Sequence, residues 1–130
     1  MSEETRLLVE RLLAAYSGEA GPDWDAVGEI ISDDHVFVPA GEVGQVDGRR
    51  GYMRWFRDIN ESMPMRYDGS AAIDCGPGRA IGVISTHYRS ATSGVESVQR
   101  MWIVFTVADG RVIRSEAYTA PEAALEAAKG

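Results

Sequence analysis

The amino-acid sequence predicts an α+β fold in which helices precede a curved antiparallel sheet. The first half of the chain repeats apolar residues at helical spacing, whereas the second half is rich in β-branched and aromatic residues. Its clearest feature is residues 99–118, where two such runs flank Asp109-Gly110, a pair that supplies the positive φ angles of a tight hairpin turn. The first run is apolar on both alternations, so both faces of this strand should be covered. We expect the chain's own helices to cover one face and a partner subunit to cover the other.

The N-terminal part predicts two helices and a short strand. Residues 5–17 place apolar side chains at four-residue spacing, which is typical of a helix with one apolar stripe. Asp23 is a suitable N-cap for a second helix at residues 24–32. Residues 35–38 then predict a strand, which the following proline ends.

The rest of the chain predicts a third helix, a run of strands and a short final helix. Aromatic residues recur at helical spacing in residues 50–62. Residues 66–74 predict a strand, residues 75–78 a glycine-rich turn, and residues 79–90 a long strand that leads into the hairpin. A proline opens the last helix, at residues 121–128, because proline is tolerated in the first turn of a helix.

Composition limits the classes of function. A chain of 130 residues predicts one domain, residues 1–130, that needs no disulfide or metal to fold. The net charge of −7 repels phosphate backbones, so nucleic acid is not an expected partner. The longest apolar run, residues 101–105, is too short to span a membrane, and the N-terminus lacks the pattern of a secretory signal. With Cys75 as its single cysteine, the protein is expected in the reducing cytoplasm.

Several short features, in their order and spacing, resemble one family over nearly the whole chain. They are Tyr16 with the turn at 18–25, Asp33-Asp34 before a strand, Gly48 before the third helix, Phe-Thr-Val-Ala-Asp-Gly-Arg-Val at 105–112, Tyr118, and Glu-Ala-Ala-Leu-Glu-Ala at 122–127. This set resembles the SnoaL-like branch of the nuclear transport factor 2-like superfamily. The resemblance implies a cystatin-like cone, in which the sheet wraps around three helices and encloses a hydrophobic cavity. It also implies a homodimer through the convex face of the sheet.

The resemblance does not select one reaction, because the family carries unrelated chemistries. The catalytic positions of its ketosteroid isomerases fall near Leu12, Val38 and Ile103, which are apolar here. Its limonene-type epoxide hydrolases use an arginine and an aspartate two apart on one strand, a set that we do not expect in this chain. Its polyketide cyclases use a cavity aspartate, and no strand aspartate is predicted on the cavity side.

The family's orientation assigns one alternation of each strand to the cavity. Those residues are Val36, Val38, Ile81, Val83, Ser85, His87, Gln99, Met101, Ile103, Phe105, Ile113, Ser115, Ala117 and Thr119. On this face His87 alone titrates near neutral pH, so it is the candidate general acid or base, although a strand-end histidine is also commonly solvated. Tyr16 is the candidate oxyanion donor, with core packing as its alternative role.

Further residues are candidates for contact with a substrate. The polar ones are Ser85, Gln99 and Ser115, and the apolar ones are Met101, Ile103 and the aromatics Trp24, Tyr52, Trp55 and Phe56. Aromatics at helical spacing are also typical of core packing, and exposure at the sheet edge would explain Gln99 equally well.

The remaining polar residues receive structural roles. Asp33 and Asp34 are expected to satisfy backbone donors, and no metal or cofactor is expected. His35 is predicted to face outward, as are Arg100, Arg114 and Glu116, which could form ion pairs on the convex face. Two functions stay open: a cofactor-free cyclase, isomerase or hydrolase that acts on a small hydrophobic, oxygen-bearing substrate, or a non-catalytic module that binds an apolar ligand or dimerises.

Overall fold

The computed structural model describes residues 2–18, 21–40, 44–62, 65–89 and 92–129. The elements, in chain order, are α1 (Ser2–Tyr16), α2 (Trp24–Ile30), β1 (Ile31–Val38), β2 (Val46–Asp47), α3 (Arg49–Ser62), β3 (Met65–Asp74), β4 (Arg79–Arg89), β5 (Glu96–Ala108), β6 (Arg111–Tyr118) and α4 (Pro121–Lys129). The α+β class is therefore confirmed. Ser90, the predicted last residue of the long strand, lies outside the described residues.

The strands form one six-stranded sheet in the order β2-β1-β6-β5-β4-β3. Every pairing is antiparallel except that of β1 with β6, which is parallel, so the sheet is mixed. The second helix begins as expected, because the Asp23 side chain accepts a hydrogen bond from the Ala26 N–H at its N-terminus. It ends two residues before the predicted end, since Ile31 is already extended and begins β1.

Helices α1, α2 and α3 lie on one face of the sheet, which is the inner face of the cone. Leu12, Val27 and Phe105 are among the side chains that form this core, and each is at most 1% exposed. Two glycines let α1 approach the sheet closely: a Cβ at Gly69 would lie 2.7 Å from the Leu13 Cβ, and one at Gly82 would lie 3.0 Å from the Leu13 Cδ2.

The hairpin between β5 and β6 turns at the predicted pair. Asp109 has φ 53° and Gly110 has φ 73°, the signs that a tight primed turn requires. A register shift between Thr106 and Val107 then places Val112 in the core. The predicted inward position of Ile113 was wrong because this bulge changes the alternation of the strand.

The predicted orientation was also wrong for β1 and β4. Phe37 and Ile84 face the helices, so their neighbours Val36 and Val83 face outward, and the same alternation places His35 inside and His87 outside. Both alternations of these two strands carry apolar residues, so hydrophobicity could not decide between them.

Helix α4 covers part of the outer, convex face of the sheet. Ala124 and Ala128 pack against Ile81 and Val104, and Trp102 lies at the margin of this second cluster. The Arg79 guanidinium donates to the Ala128 carbonyl over 3.1 Å at the end of the helix. The chain's own last helix therefore covers Val104, on the face for which a partner subunit was expected, and the dimer itself stays a prediction.

No helix among the described residues is long and apolar enough to cross a membrane.

Candidate functional site

A cavity of about 570 Å³ lies between the helices and the inner face of the sheet. Its wall is mostly apolar and aromatic. The lining residues are Tyr16, Phe37, Pro39, Ala40, Tyr52, Trp55, Phe56, Ile59, Met65, Tyr67, Ile84, Thr86, Tyr88, Gln99, Met101, Ile103, Ala117 and Thr119. This volume and composition suit a drug-sized apolar molecule.

Aromatic rings from β1 and α3 pack edge to face along one side of the cavity. The centroid of Phe37 lies 5.0 Å from that of Tyr52 and 5.1 Å from that of Trp55, and the centroids of Tyr52 and Phe56 are 4.8 Å apart. Such contacts restrict the orientation of each ring, so this side of the cavity is a closely packed aromatic wall.

Two tyrosines supply the buried polar atoms of the wall. The Tyr16 hydroxyl on α1 and the Tyr52 hydroxyl on α3 are hydrogen-bonded to each other, and the two residues are only 3% and 2% exposed. Burial is the main cause that raises the pKa of both phenols well above the ordinary value. Both hydroxyls therefore stay protonated at neutral pH and act as hydrogen-bond donors and acceptors, not as bases.

A third tyrosine is held at the same wall by side-chain contacts. The Asn60 amide donates to the Tyr67 hydroxyl over 3.1 Å and to the Phe56 carbonyl over 2.8 Å. Burial raises the pKa of the Tyr67 phenol, partly offset by the bond from Asn60. Tyr67 therefore also presents a neutral hydroxyl.

His35 lies behind this wall and is fully buried. Its Nε2 is 2.8 Å from the Ser115 hydroxyl oxygen, and its ring meets the Tyr52 ring edge to face at 4.7 Å. Its Nδ1 has no hydrogen-bond partner among the described residues. Burial lowers the pKa of His35 to about 4, and the nearby Asp34 carboxylate only partly opposes this shift. The ring is therefore neutral at physiological pH.

The mouth of the cavity is more polar than its interior. Gln99 and Thr119 are exposed, and Thr86 and Tyr88 are half-buried. The exposure of Gln99 agrees with the alternative that an edge position explains this amide.

Of the candidate site residues, the structure places seven in the cavity wall: Tyr16, Tyr52, Trp55, Phe56, Gln99, Met101 and Ile103. Their roles in binding stay predictions. His87, Ser85, Trp24 and Ser115 do not line it. Ser115 is on the inner face, but its hydroxyl is hydrogen-bonded to His35. The Trp24 ring, on α2, packs against the Tyr16 ring.

The placement predicted for His87, inside the cavity, was wrong. Its Nε2 lies 2.9 Å from Asp68 and its Nδ1 lies 3.4 Å from Glu96, both on the convex face. Arg66 also contacts Asp68, over 2.9 Å, so β3 does carry an arginine and an aspartate two residues apart, contrary to the expectation. Because this pair faces outward, it lies away from the cavity.

The other side-chain clusters are structural. The predicted convex-face ion pair joins Arg114 and Glu116 over 3.2 Å. Asp33 pairs with Arg49, and Asp34 accepts a bond of 2.9 Å from the Ser32 hydroxyl. No group of three or more metal-ligating side chains occurs within the described ranges of the chain.

Residues 9–115 match the SnoaL-like domain family, which the resemblance had indicated, and the chain belongs to that family. Comparison with curated proteins gives no match.

Solved structures with the same fold include several proteins of low sequence identity. Bal32a, from a soil-derived mobile gene cassette, is 20% identical with a TM-score of 0.79, covering 95% of this chain and 94% of its own. A protein of Xanthomonas campestris pv. campestris that is proposed to be a polyketide cyclase is 17% identical with a TM-score of 0.75, covering 98% of both chains. TerC, co-crystallised with polyporic acid, is 14% identical with a TM-score of 0.73, covering 98% of this chain and 99% of its own. These likenesses establish the cone fold.

Proposed function

We propose that the central cavity binds a flat, largely apolar small molecule that carries an oxygen atom, and that the Tyr16–Tyr52 hydroxyl pair holds that oxygen. The observation that carries the proposal is this buried pair in an otherwise apolar and aromatic wall. Buried hydroxyls are costly unless they are paired, so a pair at a cavity surface is well suited to recognise a polar ligand atom.

The pair has one hydrogen atom to spare. Each phenol carries one O–H, and the bond between Tyr16 and Tyr52 uses one of the two hydrogens. Neither hydroxyl bonds to another described residue. The second hydrogen can therefore be donated to a carbonyl or phenol oxygen of a ligand, and the low polarity of the wall strengthens that bond.

The same donor could stabilise negative charge on a ligand oxygen, which keeps a catalytic role open as the second candidate. Proton abstraction would need a base as well, and no carboxylate or imidazole lines the cavity among the described residues. This geometry favours ligand binding, with polarisation of a bound carbonyl, over a cofactor-free cyclase or isomerase that removes a proton itself.

A matched pair of ligands tests the role of the hydroxyls. We expect 2-naphthol to bind about fivefold more tightly than naphthalene, which has the same rings and no oxygen, because one neutral hydrogen bond contributes about 1 kcal/mol. The Tyr16→Phe/Tyr52→Phe double variant should lose that preference and keep its affinity for naphthalene. Tyr118→Phe, on the convex face, is the matched control.

Calorimetric titration measures both affinities. An equal preference for 2-naphthol in the wild-type protein and the double variant would show that the pair does not hold the oxygen. If neither compound binds, native mass spectrometry of the protein from its source organism decides between another ligand and an empty cavity.

We also propose a homodimer through the part of the convex face that α4 leaves open. Val98, which is 57% exposed, and Trp102, which is half-buried, both lie on the outer side of β5, with Arg100 between them. Apolar side chains left open on a sheet face are typical of a subunit interface. Sedimentation equilibrium measures the subunit number directly.

A further inference from the structure

A second concave site lies outside the central cavity, in the groove between α2 and α3. Its volume is about 900 Å³. The residues that line it are Trp24, Asp25, Gly28, Glu29, Asp33, Arg49, Arg50, Met53, Arg54 and Arg57. Seven of these ten residues are charged, so the groove differs in chemistry from the apolar cavity.

Two of the charged residues hold the helices together. The Arg49 guanidinium donates to the Gly28 carbonyl over 3.1 Å and to the Ile31 carbonyl over 3.4 Å, and it pairs with Asp33. Arg49 and Asp33 therefore neutralise each other and are not free for a ligand.

The α3 wall carries three further arginines. Arg50, Arg54 and Arg57 follow at intervals of four and three residues, so they share one side of the helix over about 10 Å of its length. None of them forms an ion pair with another described residue, although the whole chain has a net charge of −7. Guanidinium groups in such a row match phosphate oxygens, which accept their paired N–H donors.

The α2 wall has the opposite character. It presents the Asp25 and Glu29 carboxylates, four residues apart, beside the Trp24 indole. Neither carboxylate forms an ion pair with any residue of the described ranges, so no arginine of the opposite wall lies within ion-pairing distance of them. Carboxylates next to an indole are the groups that bind an ammonium ion, through charge and through the face of the ring.

We propose that this groove binds a zwitterionic ligand, with a phosphate group against Arg50, Arg54 and Arg57 and an ammonium group against Trp24, Asp25 and Glu29. The proposal goes beyond the function of the central cavity and does not depend on it. The ligand could be a free phosphate ester or the head group of a lipid. Because the charged groups on both walls are solvated, we expect a dissociation constant on the order of 1 mM.

Isothermal titration calorimetry at low ionic strength tests the proposal. The three titrants are O-phosphocholine, inorganic phosphate and choline chloride. O-phosphocholine should bind about tenfold more tightly than either single-charge probe. Arg54→Gln and Glu29→Gln should each weaken O-phosphocholine binding about fivefold, and only Arg54→Gln should affect inorganic phosphate. Arg89→Gln, an exposed arginine on β4, is the control.

Each outcome decides the matter. If inorganic phosphate binds as tightly as O-phosphocholine, the groove is a plain anion site, and if nothing saturates, it is a solvated surface; both results overturn the proposal. Binding to phosphatidylcholine vesicles, measured by co-sedimentation, identifies a lipid head group as the source, whereas binding of the soluble probe alone identifies a free ester. Circular dichroism shows whether each variant is folded.

Discussion

Lowering the pH from 7.5 to 5.5 should destabilise this protein through one buried side chain, His35. Its pKa is lowered from 6.5 to about 4 in the folded chain, chiefly by burial. The unfolded chain therefore takes up a proton in a range where the folded chain does not. The stability that neutral His35 provides is fully present above pH 6.5 and is lost as the pH falls toward 4.

The magnitude follows from the two pKa values. At pH 5.5 the unfolded imidazole is about nine-tenths protonated, which favours the unfolded state by about 1.4 kcal/mol. The loss approaches about 3 kcal/mol near pH 4, where the folded ring also begins to protonate. The structural reason is that Nε2 is already committed to Ser115 and the ring is packed against Tyr52, so a charge there is poorly solvated.

Urea unfolding at pH 7.5 and 5.5, followed by tryptophan fluorescence, measures this loss. Carboxylates contribute to the same pH range, so the informative quantity is the difference between the wild-type protein and His35→Gln, which removes the titrating group. We expect that variant to lose about 1.4 kcal/mol less than the wild type on acidification. The reasoning would be refuted if the wild-type protein and the His35→Gln variant showed the same pH dependence of stability. It would also be refuted if the imidazole NMR signal of His35 titrated near pH 6.5.

Three substitutions test the packing and the assembly. Gly82→Ala should destabilise the fold by about 1 to 3 kcal/mol in urea unfolding, since its Cβ would lie 2.7 Å from the Phe105 ring and 3.0 Å from the Leu13 Cδ2; an unchanged midpoint would mean that these side chains move aside easily. Leu12→Ala should cost about 2 to 5 kcal/mol in the same assay because Leu12 is fully buried, and a loss below 1 kcal/mol would contradict a rigid core around α1. Trp102→Arg should yield monomers in sedimentation equilibrium, whereas an unchanged dimer would exclude the interface proposed on the convex face.

Local sequence signals predicted most of the fold. The Asp23 N-cap and the Asp109-Gly110 turn each act through their own backbone geometry, so they can be identified without tertiary information. The parallel pairing of β1 with β6 joins strands far apart in sequence, so no local signal predicts it. The arrangement of the sheet around the helices came from the resemblance to the SnoaL-like family. The end of α2 was misplaced because the chain passes from helix to strand without a loop, at a residue that suits both structures.

The candidate site was harder to predict because it depends on which way each strand faces. On β5 the inward alternation was predicted correctly, and Gln99 and Met101 do line the cavity. On β4 both alternations carry apolar residues, so the hydrophobic pattern does not show which of them faces the cavity. For this reason His87 was wrongly predicted to face inward. Gly82 was the available signal, since a glycine in the middle of a strand often marks a close approach, here to the Phe105 ring inside the cone.

This correction changes the chemistry that the site supports. With His87 outside, the buried polar groups at the cavity are the neutral Tyr16, Tyr52 and Tyr67 hydroxyls and, behind them, the neutral ring of His35. Burial causes the neutrality of all four, because a low-polarity environment disfavours the charged form of phenols and imidazole alike. Such a set can orient and polarise a bound oxygen atom, but it has no member with a pKa suited to proton transfer near neutral pH. If turnover is ever detected, the proton acceptor must therefore be the ligand itself or a group outside this wall, and the pH profile of the reaction would report the pKa of that group and not of the tyrosines.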